Sequence, residues 1–161
     1  MLSRRILRTK VLQALYAFIL SGNEKIDSGE RELFRSLNKL YEIYIYHFSL
    51  LIELIEFART RIEENKKKFF PTDEDLNPNP RFVNNRLIQQ LSENRDLNHY
   101  VEAYKINWSE EKEMIRKLFV GIRESEDYKA YMNSPESSYN NDKELLVKIL
   151  KKFLAKSEIL H

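Results

Sequence analysis

The stretch "RRILRTKVLQALY", residues 4 to 16, places Arg4, Arg5, Arg8 and Lys10 at the start of a run with helical apolar spacing. Bases there oppose the helix macrodipole, at roughly 0.3 to 1 kcal/mol each when no anion offsets them. Positions 4 and 8 share a helix face and Arg5 lies to the side, so the three guanidinium groups can converge on one target. The free N–H groups of a helix N-terminus lie beside them, and guanidinium matches phosphate through two parallel hydrogen bonds. A nucleic-acid backbone is one such anion. The other reading is a solvated first turn whose arginines pair with nearby carboxylates.

Other residues with chemical potential are weaker. "ENKKKFF" (64 to 70) joins lysines to two rings that could stack on bases, although lysines at a helix C-terminus followed by two core anchors explain the same pattern. Lys148, Lys151 and Lys152 in "KILKKF" form a charged, solvated face. His99 and Glu102 stand one turn apart, but three histidines in the whole chain and no cysteine leave no metal-ligand pattern. Glu63 with Glu64 and Glu110 with Glu111 belong to solvated helix surfaces. There is no glycine-rich phosphate loop and no nucleophile motif, so no enzymatic activity, catalytic residue, metal or cofactor is expected. Tyr41, Tyr44 and Phe48 share a helical face and Tyr46 lies elsewhere, which suits a broad aromatic core or an interface.

The elements that position these residues read as helices throughout. The 161 residues carry 27 bases and 25 acids, with three glycines and four prolines, a composition that favours an all-α fold: an irregular multi-helix bundle with one long central helix. Ser3 is placed to cap a first helix whose stripe runs through Leu7, Val11, Ala14 and Phe18, flanked by Leu15 and Ile19. "SGNEKIDSG" (21 to 29) reads as a loop. Residues 30 to 67 contain no glycine or proline and predict one helix of about 57 Å. Within it "YEIYIYHF" has strand composition, but no turn residue flanks it and helix is the simpler reading. "FFPTDEDLNPNP" predicts an ordered loop leading to Asn79 as cap and Pro80 as first residue of a helix through Glu93. Shorter helices are expected over 97–104, after a Ser109 cap, and over 126–132, followed by the linker-like "NSPESSYNN" and a last helix from Asp142.

Gln13 and Tyr16 interrupt the apolar run behind the N-terminal charges and no cleavage site follows, so a secretory signal is not expected. The stretch over 40–58 is long enough to span a membrane but carries Glu42, His47, Glu53 and Glu56. A cytoplasmic protein without membrane contact is the expectation. The amphipathic pattern of "LLVKILKKFLAKSEILH" continues to the last residue, which predicts a chain cut within a longer protein.

With "RR" at 4 and 5, "R" at 8 and "QALY" at 13 to 16, the opening helix resembles that of the NusB family of transcription antitermination factors, whose start spaces RR, R and QALY in the same way. The chain end is similar to a later helix of that family. Between them, residues 22 to 140 resemble the large helical insertion of longer NusB-like proteins. The resemblance implies a single helical domain over 1–161: a NusB-like first helix (1–21), the insertion (22–140) and the start of the remaining family helices (141–161). It implies an all-helical RNA-binding protein that recognises boxA-like RNA together with the ribosomal protein NusE, within the transcription elongation complex. By position it makes Arg4, Arg5 and Arg8 RNA-contact candidates, with Lys10, Gln13 and Tyr16 beside them. A helical protein-interaction module without direct RNA contact is the alternative, and apolar surface left bare on the first and last helices would favour self-association.

Overall fold

The computed structural model describes residues 3–22 and 24–154, and among these every regular element is helical. In chain order they are α1 (Arg4–Leu20), α2 (Ile26–Lys66), α3 (Asp73–Leu76), α4 (Arg86–Ser92), α5 (Arg95–Ala103), α6 (Lys112–Glu124), α7 (Glu126–Asn133) and α8 (Tyr139–Ile149), the last running into a π-helical turn over Leu150–Leu154. The protein is therefore an all-α, multi-helix bundle with one long helix, α2, of 41 residues. The expected continuation of the last helix beyond residue 154 lies outside the described residues. None of the described helices is long and apolar enough to cross a membrane.

Two compact units divide the chain, Met1–Tyr44 and Ile45–His161, so the boundary falls inside α2 rather than in a loop. The first unit pairs α1 with the N-terminal part of α2. Ser3 caps α1, its hydroxyl accepting the Ile6 N–H at 3.3 Å. The turn out of α1 uses Gly22 at φ +62°, a left-handed conformation that favours glycine. The seam of α1 is Ile6, Lys10, Ala14 and Phe18, all half-buried, and Phe18 closes on Gly29, where a Cβ would stand 3.0 Å from its ring. The expected stripe is thus corrected by one position at its start: Leu7 and Val11 are exposed, because four-residue spacing from Phe18 runs through Ala14 and Lys10 instead. No described residue of this unit is fully buried.

The second unit holds the core. Leu51, Leu54 and Ile55 of α2 meet Ile115 and Ile122 of α6 and Leu146 of α8, each at most 2 % exposed. Burial of a residue of this size contributes about 1.5 to 3 kcal/mol, so these six outweigh any surface interaction. Phe82 and Phe119 pack ring to ring beside them, and Tyr46 meets Trp108 edge-on. The Trp108 indole N–H donates to the Ser49 hydroxyl at 2.8 Å, which satisfies both buried polar groups. Tyr46 therefore belongs to this core, whereas Tyr41 and Tyr44 are each 38 % exposed.

Several boundaries differ from those the sequence predicts. Helix α2 begins at Ile26 and carries Gly29 in its interior, since packing on Phe18 outweighs the glycine's weak helix propensity. The loop after it contains α3, closed by a capping box in which Thr72 and Asp75 bond each other's backbone N–H. Asn79 bonds Arg81 N–H but starts no helix; Asn85 is the cap and α4 begins at Arg86. Nor does Ser109 cap α6: its own N–H is held by Asn107, and α6 starts without a side-chain cap. Phe69 and Phe70 are not core anchors but 90 % and 84 % exposed, edge to face with each other. The linker-like segment is tied down, with Arg81 donating to the carbonyls of Ser134 and Glu136, and Arg86 to the Ser137 hydroxyl at 3.2 Å.

Candidate nucleic-acid interface

Arg4, Arg5 and Arg8 project from the first two turns of α1, all exposed. At 100° per residue, Arg4 and Arg8 lie 40° apart around the helix and Arg5 a further 60° beyond Arg8. No acidic side chain stands in the first turn, and among the described residues none of the three forms an ion pair. The nearby carboxylates of the solvated-turn reading are therefore not engaged. Arg5 is further fixed through its backbone, whose carbonyl accepts the Thr9 hydroxyl at 3.0 Å. Three exposed cations at a helix N-terminus make a surface suited to a polyanion.

The six sequence candidates divide between two sides of α1. Tyr16 is 65 % exposed on the same side as the arginines. Lys10 and Gln13 instead line a groove against the start of α2, about 430 Å³ in volume, with Phe18, Gly29, Glu32 and Ser36. A neighbouring groove brings Lys10 beside Arg35 and Lys39, with Glu32 the one acid on its wall. Glu32 is 3.6 Å from Arg35. Arg35 and Lys39 were not among the candidates, and their i, i+4 spacing on α2 is the signal that marks them as neighbours.

The remaining clusters resolve into local pairs. Lys66 bonds Glu63 at 3.0 Å and Lys68 reaches Asp75 at 3.1 Å, so the lysine run is largely neutralised by its own surroundings. The Thr72 N–H foremost, and then Lys68, hold the Asp75 carboxyl below its usual range. Lys148 and Lys152 both pair with Asp127, lowering its carboxyl likewise. His99 lies edge-on to Tyr100, and among the described residues no cluster of three or more acids and histidines could hold a metal ion.

A buried polar knot joins three helices of the second unit. Asn85 caps α4 by accepting from Leu87 and Ile88 N–H at 3.1 and 3.2 Å, and donates to the Asp142 carbonyl at 3.2 Å. The Asp142 carboxylate accepts the Tyr131 hydroxyl at 2.7 Å and the Arg86 N–H at 3.1 Å. Burial, reinforced by this carboxylate, pushes the Tyr131 hydroxyl up to about 12. The Arg81 guanidinium lies 4.4 Å over the Tyr131 ring. The Arg81 Nε is buried without a hydrogen-bond partner among the described residues, whereas the bonds of Asn85, Tyr131 and Asp142 end on the protein itself and lock α4, α7 and α8 together. Comparison with protein-family models, with curated proteins and with solved structures gives no significant match.

Proposed function

We propose that this chain is an RNA-binding, non-enzymatic antitermination factor of NusB type, contacting boxA-like RNA together with NusE. The reading rests on the resemblance of its opening helix. The observation that carries it furthest is the exposed triplet Arg4, Arg5 and Arg8 without acidic partners at a helix N-terminus. In this reading the arginines hold phosphates and supply salt-sensitive affinity, while Tyr16 is positioned for contact along the same side. Lys10 acts from the groove together with Arg35 and Lys39.

Fluorescence anisotropy of a labelled boxA-like RNA and a scrambled RNA, titrated across salt with and without NusE, tests it. Replacing all three arginines by alanine is expected to weaken binding and to flatten the slope of log K against log salt by about 2, as three lost phosphate contacts to a single strand require. Equal affinity and slope for the variant and the unmodified chain would overturn the reading. A protein-interaction module without RNA contact is the second reading, favoured by the bare apolar side of α1.

A further inference from the structure

Lys10 occupies a place where the packing of α1 calls for an apolar side chain. It stands between Ile6 and Ala14 in the seam that faces α2, half-buried, and among the described residues it forms no ion pair. Two cations of α2, Arg35 and Lys39, line a groove of about 510 Å³ with it, and the one acid on its wall, Glu32, stands beside Arg35. Crowding like charges in a partly desolvated groove is unfavourable unless an anion offsets them. The surrounding unit has the sign to attract one: Met1–Tyr44 carries eight basic residues against five acidic, whereas Ile45–His161 carries nineteen against twenty.

The groove does not end at these cations. It shares Lys10, Glu32 and Ser36 with the adjoining groove of about 430 Å³, so the two form one cleft between α1 and the start of α2, of the size that small-molecule sites have. Its other half is walled by Ala14, Ala17 and Phe18, with the Gln13 amide and the Ser28 hydroxyl on the same lining. We propose that this cleft binds a nucleoside phosphate, the phosphate held by Lys10, Arg35 and Lys39 and the base laid in the apolar half. A guanidinium and two ammonium groups suit a phosphate dianion. A flat ring with polar edges suits an apolar wall that carries an amide able both to donate and to accept. An inorganic anion would leave that wall unused, and an acyl chain would leave the amide unused. Arg4, Arg5 and Arg8 line neither groove, so the site shares only its cations with the RNA reading and does not depend on it.

Isothermal calorimetry of the full chain with adenosine monophosphate, in the absence of RNA, tests the proposal. A Kd on the order of 10 to 100 μM is expected for a ligand of this size, with inorganic phosphate about tenfold weaker. Lys39→Ala and Arg35→Ala, both at exposed positions, should each weaken the nucleotide about tenfold with unchanged circular dichroism. Ala17→Trp, which fills the apolar half from another exposed position, should remove nucleotide binding and leave that of inorganic phosphate unchanged. Replacing Arg4, Arg5 and Arg8 by alanine should leave nucleotide affinity unchanged, which separates this outcome from that of the RNA reading. A short RNA added to the loaded chain names the source: displacement assigns the cleft to an unstacked nucleotide of a strand, and retention assigns it to the free nucleotide, the chemistry of the site holding in both. No binding at millimolar nucleotide, equal affinity for inorganic phosphate, or an affinity that Lys39→Ala and Arg35→Ala leave intact would overturn the proposal.

Discussion

Removal of the Asn85 side chain gives the sharpest test of how the second unit is held together. Asn85 is 1 % exposed and does two things at once. Its oxygen accepts the two N–H groups that open α4, and its amide donates across to the Asp142 carbonyl of α8. Loss of such a cap costs about 0.5 to 2 kcal/mol. Loss of the bond to α8 adds about 1 kcal/mol, at the low end for a buried acceptor because the Asp142 carbonyl keeps its place in the helix ladder. Asn85→Ala is thus expected to destabilise the unit by about 2 to 3 kcal/mol, and Asn85→Ser, which retains a capping oxygen but not the reach to α8, by about half as much. The chain has one tryptophan, Trp108, buried in this unit, so urea unfolding followed by its fluorescence reads the second unit alone. An alanine variant within about 0.5 kcal/mol of the unmodified chain would refute the assignment of Asn85 as the tie between α4 and α8.

Three further outcomes follow from neighbouring features. Tyr131 ionises near 10 when unfolded and only at about 12 when folded, so its contribution is complete below pH 10 and is lost as the pH rises from there toward 12. Tyr131→Phe should therefore be less stable at neutral pH by about 1 to 3 kcal/mol and show a shallower alkaline decline, measured by the same urea titrations at two pH values. Lys105 ends α5 at φ 54° while the Ile106 N–H returns to Val101; Lys105→Gly should raise stability by about 0.5 to 1 kcal/mol by relieving the left-handed backbone, seen as a higher urea midpoint. Gly29→Ala should be nearly neutral, since improved helix propensity offsets the close approach to Phe18, whereas Gly29→Leu should cost about 1 to 3 kcal/mol by prising α1 from α2, followed by far-UV circular dichroism on heating.

Local rules were enough to read the all-helical class and the longest helices, though not α3 or the starts of α4 and α6. Scarce glycine and proline, the uninterrupted run over 30–67 and the Ser3 cap are signals within a few residues of one another, and helix formation is decided at that range. The arginine cluster was equally legible, because a base in the first turn without an acid beside it is visible in the chain alone. Which side of α1 packs was not legible. Leu7–Val11–Ala14–Phe18 and Ile6–Lys10–Ala14–Phe18 share two members, and only the approach of Phe18 to Gly29 selects the second. The same limit explains Phe69 and Phe70, which have core composition and stand in solvent, and "NSPESSYNN", which has linker composition and is held by Arg81 and Arg86. Composition thus determined an all-helical chain with cations crowded at one end. Tertiary structure decided which apolar faces are covered, that Lys10 and Gln13 turn toward α2, and that Asn85, Tyr131 and Asp142 meet, because those outcomes depend on partners tens of residues away that no local pattern encodes.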